Sequence, residues 1–508
     1  MLSKISSITL NGIEAIECEI EVDIASKGFS GINMVGLPDT AVRESIDRIR
    51  AALANCGFHF PKHRTLVNLA PADIKKEGPA LDLPIALGLL LADGQISWDL
   101  PSKYLIVGEL ALDGRLRPVK GVLSAALLAA KKKYRGVIVP RENVAEAAIV
   151  ESIEAIGISS LTEAAGFLTA SLPLEPATVD SEAIFNQVGR YDIDFADVRG
   201  QEHAKRAMTI AAAGAHNVLM IGPPGSGKTM LAQRLPTILP PLSLEEALET
   251  TRIYSAVGLL SSGQSLIGTR PVRCPHHSAS PIALVGGGSN PQPGEVSLSH
   301  NGVLFLDEMP EFQRSTLEMI RQPLEDGTVT ISRVQSSMTF PARFILISAM
   351  NPCMCGYFGH PRKRCRCSPN QIEKYVGKIS GPLLDRIDIH LEVPVVELDR
   401  LRSATEGRSS QEMRNDVLRA RDIQHKRFKN KPNMTNARMG PKLLREHCQF
   451  GPEGEAILKS AVQELGLSAR AHDKILRVAR TIADIEGSDQ IKTEFLAEAI
   501  QYRRLDRA

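Results

Sequence analysis

The chain has 508 residues, 43% hydrophobic and 23% charged, the composition of a globular protein with about three domains at ~150 residues each. Its 60 Lys and Arg nearly balance 58 Asp and Glu, so net charge decides nothing about nucleic acid, and any basic surface must be local. Apolar runs such as residues 83–92 are too short to span a bilayer, and the opening MLSKISSITLNGIEAIECEI lacks a signal peptide's apolar core, so a cytoplasmic protein with no membrane partner is expected.

Residues 1–170 alternate strand-like and helix-like patterns. Apolar and polar residues alternate over 20–24, and Val42, Ile46, Ile49 and Leu53 recur at helical spacing. Residues 104–108 and 136–139 read as short buried strands, so 1–170 is expected to be one α/β domain. Residues 171–190 carry two prolines and little periodicity, a linker signal. Residues 191–393 show a second α/β pattern, with apolar strands at 217–221, 303–306 and 344–349 separated by helical segments, as in a parallel sheet. Residues 394–508 show almost no strand signal and read as an all-α lid, with helices over 411–426, 454–465 and 471–485.

Gly222-Pro223-Pro224-Gly225-Ser226-Gly227-Lys228-Thr229 follows a buried strand and opens a helix. That is the context in which G-x-x-x-x-G-K-[ST] cradles phosphates on backbone N–H groups and a helix N-terminus. Lys228 then reaches the outer phosphates of ATP, and Thr229 ligates Mg²⁺. Four apolar residues, 303–306, deliver Asp307 and Glu308 at a strand's C-terminal end, where ligands of open α/β sheets bind. Asp307 holds Mg²⁺ through water, and Glu308 polarises the attacking water. The strand 344–349 leads into Asn351, whose amide can hydrogen-bond that water or the γ-phosphate; as an Asn-Pro pair it also fits a plain turn.

Gly381-Pro382-Leu383-Leu384-Asp385-Arg386-Ile387-Asp388 resembles the L-L-D-R-[FI]-D signature of AAA+ motors related to replicative helicases and magnesium chelatase. That resemblance implies that Arg386 reaches into the neighbouring subunit's nucleotide, a contact worth ~10³-fold or more in rate. Read from the residues alone, Asp385, Arg386 and Asp388 also fit a surface ion-pair cluster. Leu467-Ser468-Ala469-Arg470-Ala471 resembles the sensor-2 motif, which implies that Arg470 touches the γ-phosphate of its own subunit. The turn-rich stretch 285–294 and a candidate hairpin at 327–340, with Arg333 near its tip, resemble the pore loops of the helix-2-insert AAA+ clade. Basic residues there would grip DNA phosphates without reading sequence.

With PGEVSLSHNGVLFLDEMPEF, the SAMNPC–cysteine block and GPLLDRIDIH, the chain resembles the ComM/YifB family of magnesium-chelatase-like proteins over essentially its whole length. The resemblance implies a homo-hexameric DNA motor driving branch migration during natural transformation, alongside other recombination proteins. The alternative is the ATPase subunit of a magnesium-chelatase-like metal-insertion complex.

Cys353, Cys355, Cys365 and Cys367 lie in one loop, 353–367, with His360 and the basic residues Arg362, Lys363, Arg364 and Arg366. Four thiolates suit tetrahedral Zn²⁺, and a zinc-stapled basic loop is a candidate DNA contact. A staple with no DNA role, or four free thiols, fits the same spacing. Residues 1–170 resemble the Lon protease domain: Lys75-Lys76-Glu77-Gly78-Pro79-Ala80 looks like P-K-D-G-P-S with Ala80 at the nucleophile, and the lysine position falls near Leu123. Without nucleophile and base there is no acyl chemistry, so the domain is expected to be a non-proteolytic scaffold.

Overall fold

A computed structural model describes residues 1–26, 31–100, 103–180, 191–288, 291–332, 337–395, 407–429, 431 and 434–503. The chain divides into two compact units, Met1–Val188 with Ser243–Gly268, and Gly189–Leu242 with Thr269–Ala508.

In the first unit, β1 (Leu2–Asn11) and β2 (Glu14–Ile24) form an antiparallel hairpin across Gly12, whose φ of 66° suits the tight turn. β3 (Ile32–Val35) lies parallel to β4 (Thr65–Ala70), which pairs antiparallel with β2, giving the order β1-β2-β4-β3. Further on come β5 (Tyr104–Ile106), the ribbon β6 (Glu109–Leu110) and β7 (Leu116–Arg117), then β8 (Gly136–Pro140) and β9 (Glu154–Ile158). β5, β8 and β9 make a parallel three-stranded sheet. The helix Thr40–Asn55, capped by Asp39 accepting from the Val42 N–H at 2.7 Å, buries Val42, Ile46, Ile49 and Leu53, the stripe legible in the sequence.

The helix Leu244–Val257 also belongs to this unit. The Gly121 N–H donates to Ser255 O at 3.1 Å, and Arg252 Nε donates to Ser124 Oγ at 3.2 Å. Ser255 and the Leu123 N–H both bond Glu146, whose carboxyl is pushed up by burial.

The second unit holds one five-stranded parallel sheet, ordered β11-β14-β17-β10-β18. Its members are β10 (Val218–Ile221), β11 (Val272–Arg273), β14 (Val303–Leu306), β17 (Ile345–Met350) and β18 (Ile389–Glu392). Two hairpins interrupt it: β12 (Gly286–Gly287) with β13 (Gln292–Pro293), and β15 (Thr328–Ser332) with β16 (Ser337–Pro341). Every residue of β14 and β17 is buried, as a parallel sheet covered on both faces requires.

One face packs on Leu231, Met413, Ile475 and Ile482, so the C-terminal helices Ser410–Arg427 and Ala469–Ile485 share a core with the sheet. The other face packs on Leu284, Val296, Phe312 and Val329, from the segments that carry the hairpins. The protein is thus a mixed α/β chain whose parallel-sheet core is followed by a helical C-terminal region. Among the described residues no helix is long and apolar enough to cross a membrane.

Candidate nucleotide-binding site

After β10 the chain turns tightly through Gly222–Gly227. A Cβ on Gly222 would stand 2.2 Å from the Val393 carbonyl, and Gly225 and Gly227 adopt φ of 79° and 88°, which side-chain-bearing residues avoid. Gly227 caps the helix Lys228–Ile238, so backbone N–H groups and the positive end of the helix dipole face the loop. Gln201 Nε2 ties the incoming segment to the loop by donating to Ser226 O at 2.7 Å.

Because β14 and β17 are consecutive in the sheet and β17 neighbours β10, their C-terminal ends converge. Lys228 Nζ donates to Gly222 O at 2.7 Å and Pro223 O at 3.0 Å, and meets Asn351 Oδ1 at 3.3 Å. Thr229 Oγ1 donates to Asp307 Oδ2 at 3.0 Å. Burial lowers the Lys228 pKa, and the carboxylates of Asp307 and Glu308 oppose that shift. Lys228, Thr229, Asp307, Glu308 and Asn351 therefore form one constellation. A hydroxyl beside a carboxylate fits a hard, oxygen-seeking cation such as Mg²⁺, which supplies charge neutralisation on phosphate oxygens when bound.

Glu308 occupies left-handed backbone, φ 50° and ψ 44°, a conformation that costs about 1 kcal/mol or more and clusters at functional sites. Its N–H donates to Asp307 Oδ1 at 2.9 Å. The Glu308 carboxylate faces His277 Nδ1 at 3.5 Å, and the His277 ring packs on His276 with centroids 4.1 Å apart. Sequence reasoning missed His277. The signal was the pair His276-His277 shortly after β11, the strand next to β14.

Arg386 and Arg470 lie elsewhere. Arg386 precedes β18, at the N-terminal edge of the sheet. It pairs with Glu325 at 2.5 Å, donates to Pro382 O at 2.6 Å, and its side chain is 10% exposed. Arg470 lines the same cleft of about 410 Å³, with Glu325, Arg343 and Lys474, and no residue of 222–229 lines it. Lys474, one helical turn after Arg470, bonds Asp388 and donates to Arg386 O at 3.3 Å. Between this cleft and the P-loop runs β10, ~13 Å long at ~3.3 Å per residue. Arg470 thus stands with Arg386 at the sheet edge opposite the phosphate loop.

The surface ion-pair alternative also gives way. Asp388 is 1% exposed, accepts from the Asn217 N–H at 3.0 Å and faces His216 Nδ1 at 3.4 Å. Burial alone would raise its pKa, but Lys474 and His216 hold it well below the usual carboxylate range.

In the cysteine loop, Cys353 Sγ lies 3.4 Å from Cys355 Sγ and 3.7 Å from Cys365 Sγ, and Cys355 and Cys365 are 3.6 Å apart. All four ligand atoms, including Cys367 Sγ, fall within 4.8 Å of one another. A tetrahedron with Zn–S bonds of about 2.3 Å has S–S edges of about 3.8 Å, so the donor set fits zinc. Backbone N–H groups of Arg366 and Tyr357 hold the Cys355 thiol down to about 6. His360 does not join the cluster: its Nδ1 accepts from the N–H groups of Arg362 and Lys363, both at 3.0 Å. Arg362, Lys363 and Arg364 are exposed, whereas Arg333 lies outside the described residues.

In the first unit, Leu123 is fully buried, and Ser124 is 2% exposed and donates its hydroxyl to Ile13 O at 2.6 Å. Lys76 is buried, its Nζ donating to Ile74 O at 2.8 Å.

Comparison with known proteins bears on the same three stretches. Residues 194–401 match the family model "Magnesium chelatase, subunit ChlI", 20–143 match "Subunit ChlI of Mg-chelatase", and 407–503 match "Magnesium chelatase, subunit ChlI C-terminal". Competence protein ComM of Haemophilus influenzae is 44% identical over 98% of this chain and 96% of its own length. The uncharacterized protein YifB of Salmonella typhimurium is 45% identical over 98% and 96%. The chloroplastic magnesium-chelatase subunit ChlI-2 of Arabidopsis thaliana is more distant, 24% identical over 42% of this chain and 45% of its own. On full-length identity of this order, the chain belongs to the ComM/YifB family of magnesium-chelatase-like AAA+ proteins.

Proposed function

We propose that the chain is an ATP-driven motor that works in the cytoplasm as a homo-hexameric ring on DNA. Its task is branch migration while incoming DNA is recombined during natural transformation, in company with other recombination proteins. The observation that carries this reading is the division of its candidate catalytic groups between two sheet edges. Lys228, Thr229, Asp307, Glu308 and Asn351 gather at the C-terminal edge, and Arg386 and Arg470 stand at the other. A site so divided is completed by a second copy of the chain.

In this reading residues 222–229 hold the triphosphate of ATP, and Thr229 and Asp307 hold Mg²⁺. Glu308 orients water towards the γ-phosphate, and Asn351 helps fix that water. Arg386 and Arg470 of one subunit neutralise charge in the next subunit's site, worth ~10³-fold or more in rate.

The name of the Haemophilus relative, a competence protein, supports DNA as the partner. Two hairpins, β12–β13 and β15–β16, are the candidate grips, with Arg333 following Ser332 in the sequence, joined by exposed Arg362, Lys363 and Arg364. Contacts of this kind hold phosphates and are indifferent to sequence, so single-stranded, duplex and branched DNA are all substrates in class. Cys353, Cys355, Cys365 and Cys367 take Zn²⁺. Residues 1–170 serve as a Lon-like scaffold without protease chemistry, since Ala80 offers no nucleophile and the Ser124 hydroxyl is committed to Ile13.

The family models favour a second reading, the ATPase subunit of a magnesium-chelatase-like complex. The partial, 24% identity to a chelatase subunit makes it the weaker one. A fluorescently labelled four-way junction separates the two. Wild type with ATP is expected to convert it to migrated duplex products, and Lys228→Ala to leave it intact. Brisk ATP hydrolysis with no junction processed at any protein concentration would overturn the motor reading and favour the chelatase one.

A further inference from the structure

The cysteine loop does not stand off from the nucleotide site. Gly356, between Cys355 and the rest of the loop, packs on the phosphate loop so closely that a Cβ there would lie 2.6 Å from Pro224 Cδ and 3.9 Å from Asn351 Cγ. Its φ of 80° and this contact both demand glycine. Cys353 is fully buried, and its Sγ accepts from the Phe358 N–H at 3.3 Å, so residues 353–358 fold around one sulfur.

That fold aims Phe358 and Gly359 into a cavity of about 860 Å³, which they line together with Gly222, Pro223, Gln201 and Val393. The cavity opens beside the start of the phosphate loop and is of a size that encloses small organic ligands. Phe358 is 54% exposed, so its ring has a face open to a ligand.

We propose that the cysteine loop is a wall of the nucleotide site: Phe358 presents its ring to the base of a purine nucleoside triphosphate, and the metal held by Cys353, Cys355, Cys365 and Cys367 fixes that ring in place. The assignment rests on the ATPase reading of Lys228 and its neighbours and adds a base-binding role to a cluster otherwise read as a staple or a DNA contact. An exposed aromatic ring gains both buried area and stacking energy from a base. A loop without internal strands or helices needs a cross-link to hold that ring ready, and a tetrahedral metal supplies one. Metal occupancy then sets affinity for nucleotides, and the phosphate loop alone sets affinity for phosphate chains.

The test is binding to the full-length protein by two competitors of one fluorescent ATP analogue: ATP itself and inorganic tripolyphosphate, which has no base. Phe358→Ala, at an exposed position, is expected to weaken ATP by about tenfold and leave tripolyphosphate within about twofold. Wild type stripped of zinc by a chelator, with the zinc-to-protein ratio measured alongside, is expected to show the same selective loss, restored by zinc. Equal ATP affinity in wild type and Phe358→Ala, or equal loss for both competitors, overturns the base-wall assignment. Selective loss in Phe358→Ala with unchanged ATP affinity in zinc-free protein overturns the metal's part in it. A wild-type protein that binds neither competitor overturns the ATPase reading itself, a result distinct from each of these.

Discussion

At the scale of single residues, the site assigns different losses to neighbouring side chains. Lys228 lies at the mouth of the phosphate loop, bonded to its carbonyls and to Asn351. Lys228→Ala is expected to lower kcat/KM for ATP by about 10²-fold or more, with nucleotide binding itself weakened. Glu308→Gln keeps size and removes the base, so kcat falls by about 10²-fold or more and ATP affinity stays within about threefold. Steady-state hydrolysis and equilibrium binding, measured on the same preparations, separate the two patterns. His277 adds a further expectation. Its Nδ1 stands 3.5 Å from the Glu308 carboxylate, close enough to compete with water for it. His277→Ala is expected to raise hydrolysis without DNA about twofold or more while Glu308→Gln stays inactive; an unchanged basal rate would show the contact to be idle. Lys228, Asp307 and Glu308 were legible because their chemistry is local, a Gly-rich turn or an acidic pair at a strand end. The positions of His277 and Phe358 were not, because they depend on neighbours distant in sequence. The place of Arg470 beside Arg386 was not legible, because spacing does not say at which sheet edge a helix begins.

At the scale of elements, the helix Ala469–Ile485 is pinned to the sheet by a buried charge. Lys474→Met leaves the Asp388 carboxylate buried without its main partner, expected to cost about 3–5 kcal/mol in urea denaturation. His216 and His390, on the two strand-start segments beside it, are both buried, and burial lowers both pKa values, that of His390 to about 3. Folded-state pKa values below the unfolded ~6.5 mean that the unfolded chain binds more protons in mildly acidic solution. Stability is therefore full above pH ~6.5 and falls as pH drops below it, by about 1 kcal/mol per pH unit for His390 down towards its folded-state value, with His216 adding in the same direction. His390→Phe is expected to flatten that slope by one histidine's share; a slope unchanged by the substitution would contradict the assignment. Periodicity made the C-terminal helices legible, and alternating strand and helix patterns did the same for the parallel sheet. The helix Leu244–Val257 was not placed by its sequence. Its buried stripe includes Thr250, Thr251 and Ser255, whose partners include Glu146 and the Ile267 N–H, so polar bonds rather than an apolar pattern choose its unit.

At the scale of the whole molecule, the proposed motor depends on a site shared between copies. Lys228→Ala and Arg386→Ala are each expected to be nearly inactive alone, for opposite reasons. Mixed in equal amounts, they regain activity at the interfaces where an intact Lys228 meets an intact Arg386, about a quarter of the total in a randomly mixed ring. Arg470→Ala is expected to complement Lys228→Ala in the same way, as its place beside Arg386 requires. The most direct measurement is ATP hydrolysis across protein concentration with no DNA, single-stranded DNA, duplex and a four-way junction, for wild type and Lys228→Ala. Specific activity is expected to rise cooperatively with concentration, to be strongly stimulated by DNA and to be lost in the variant. A rate per subunit that is independent of concentration and indifferent to every DNA would contradict the motor reading.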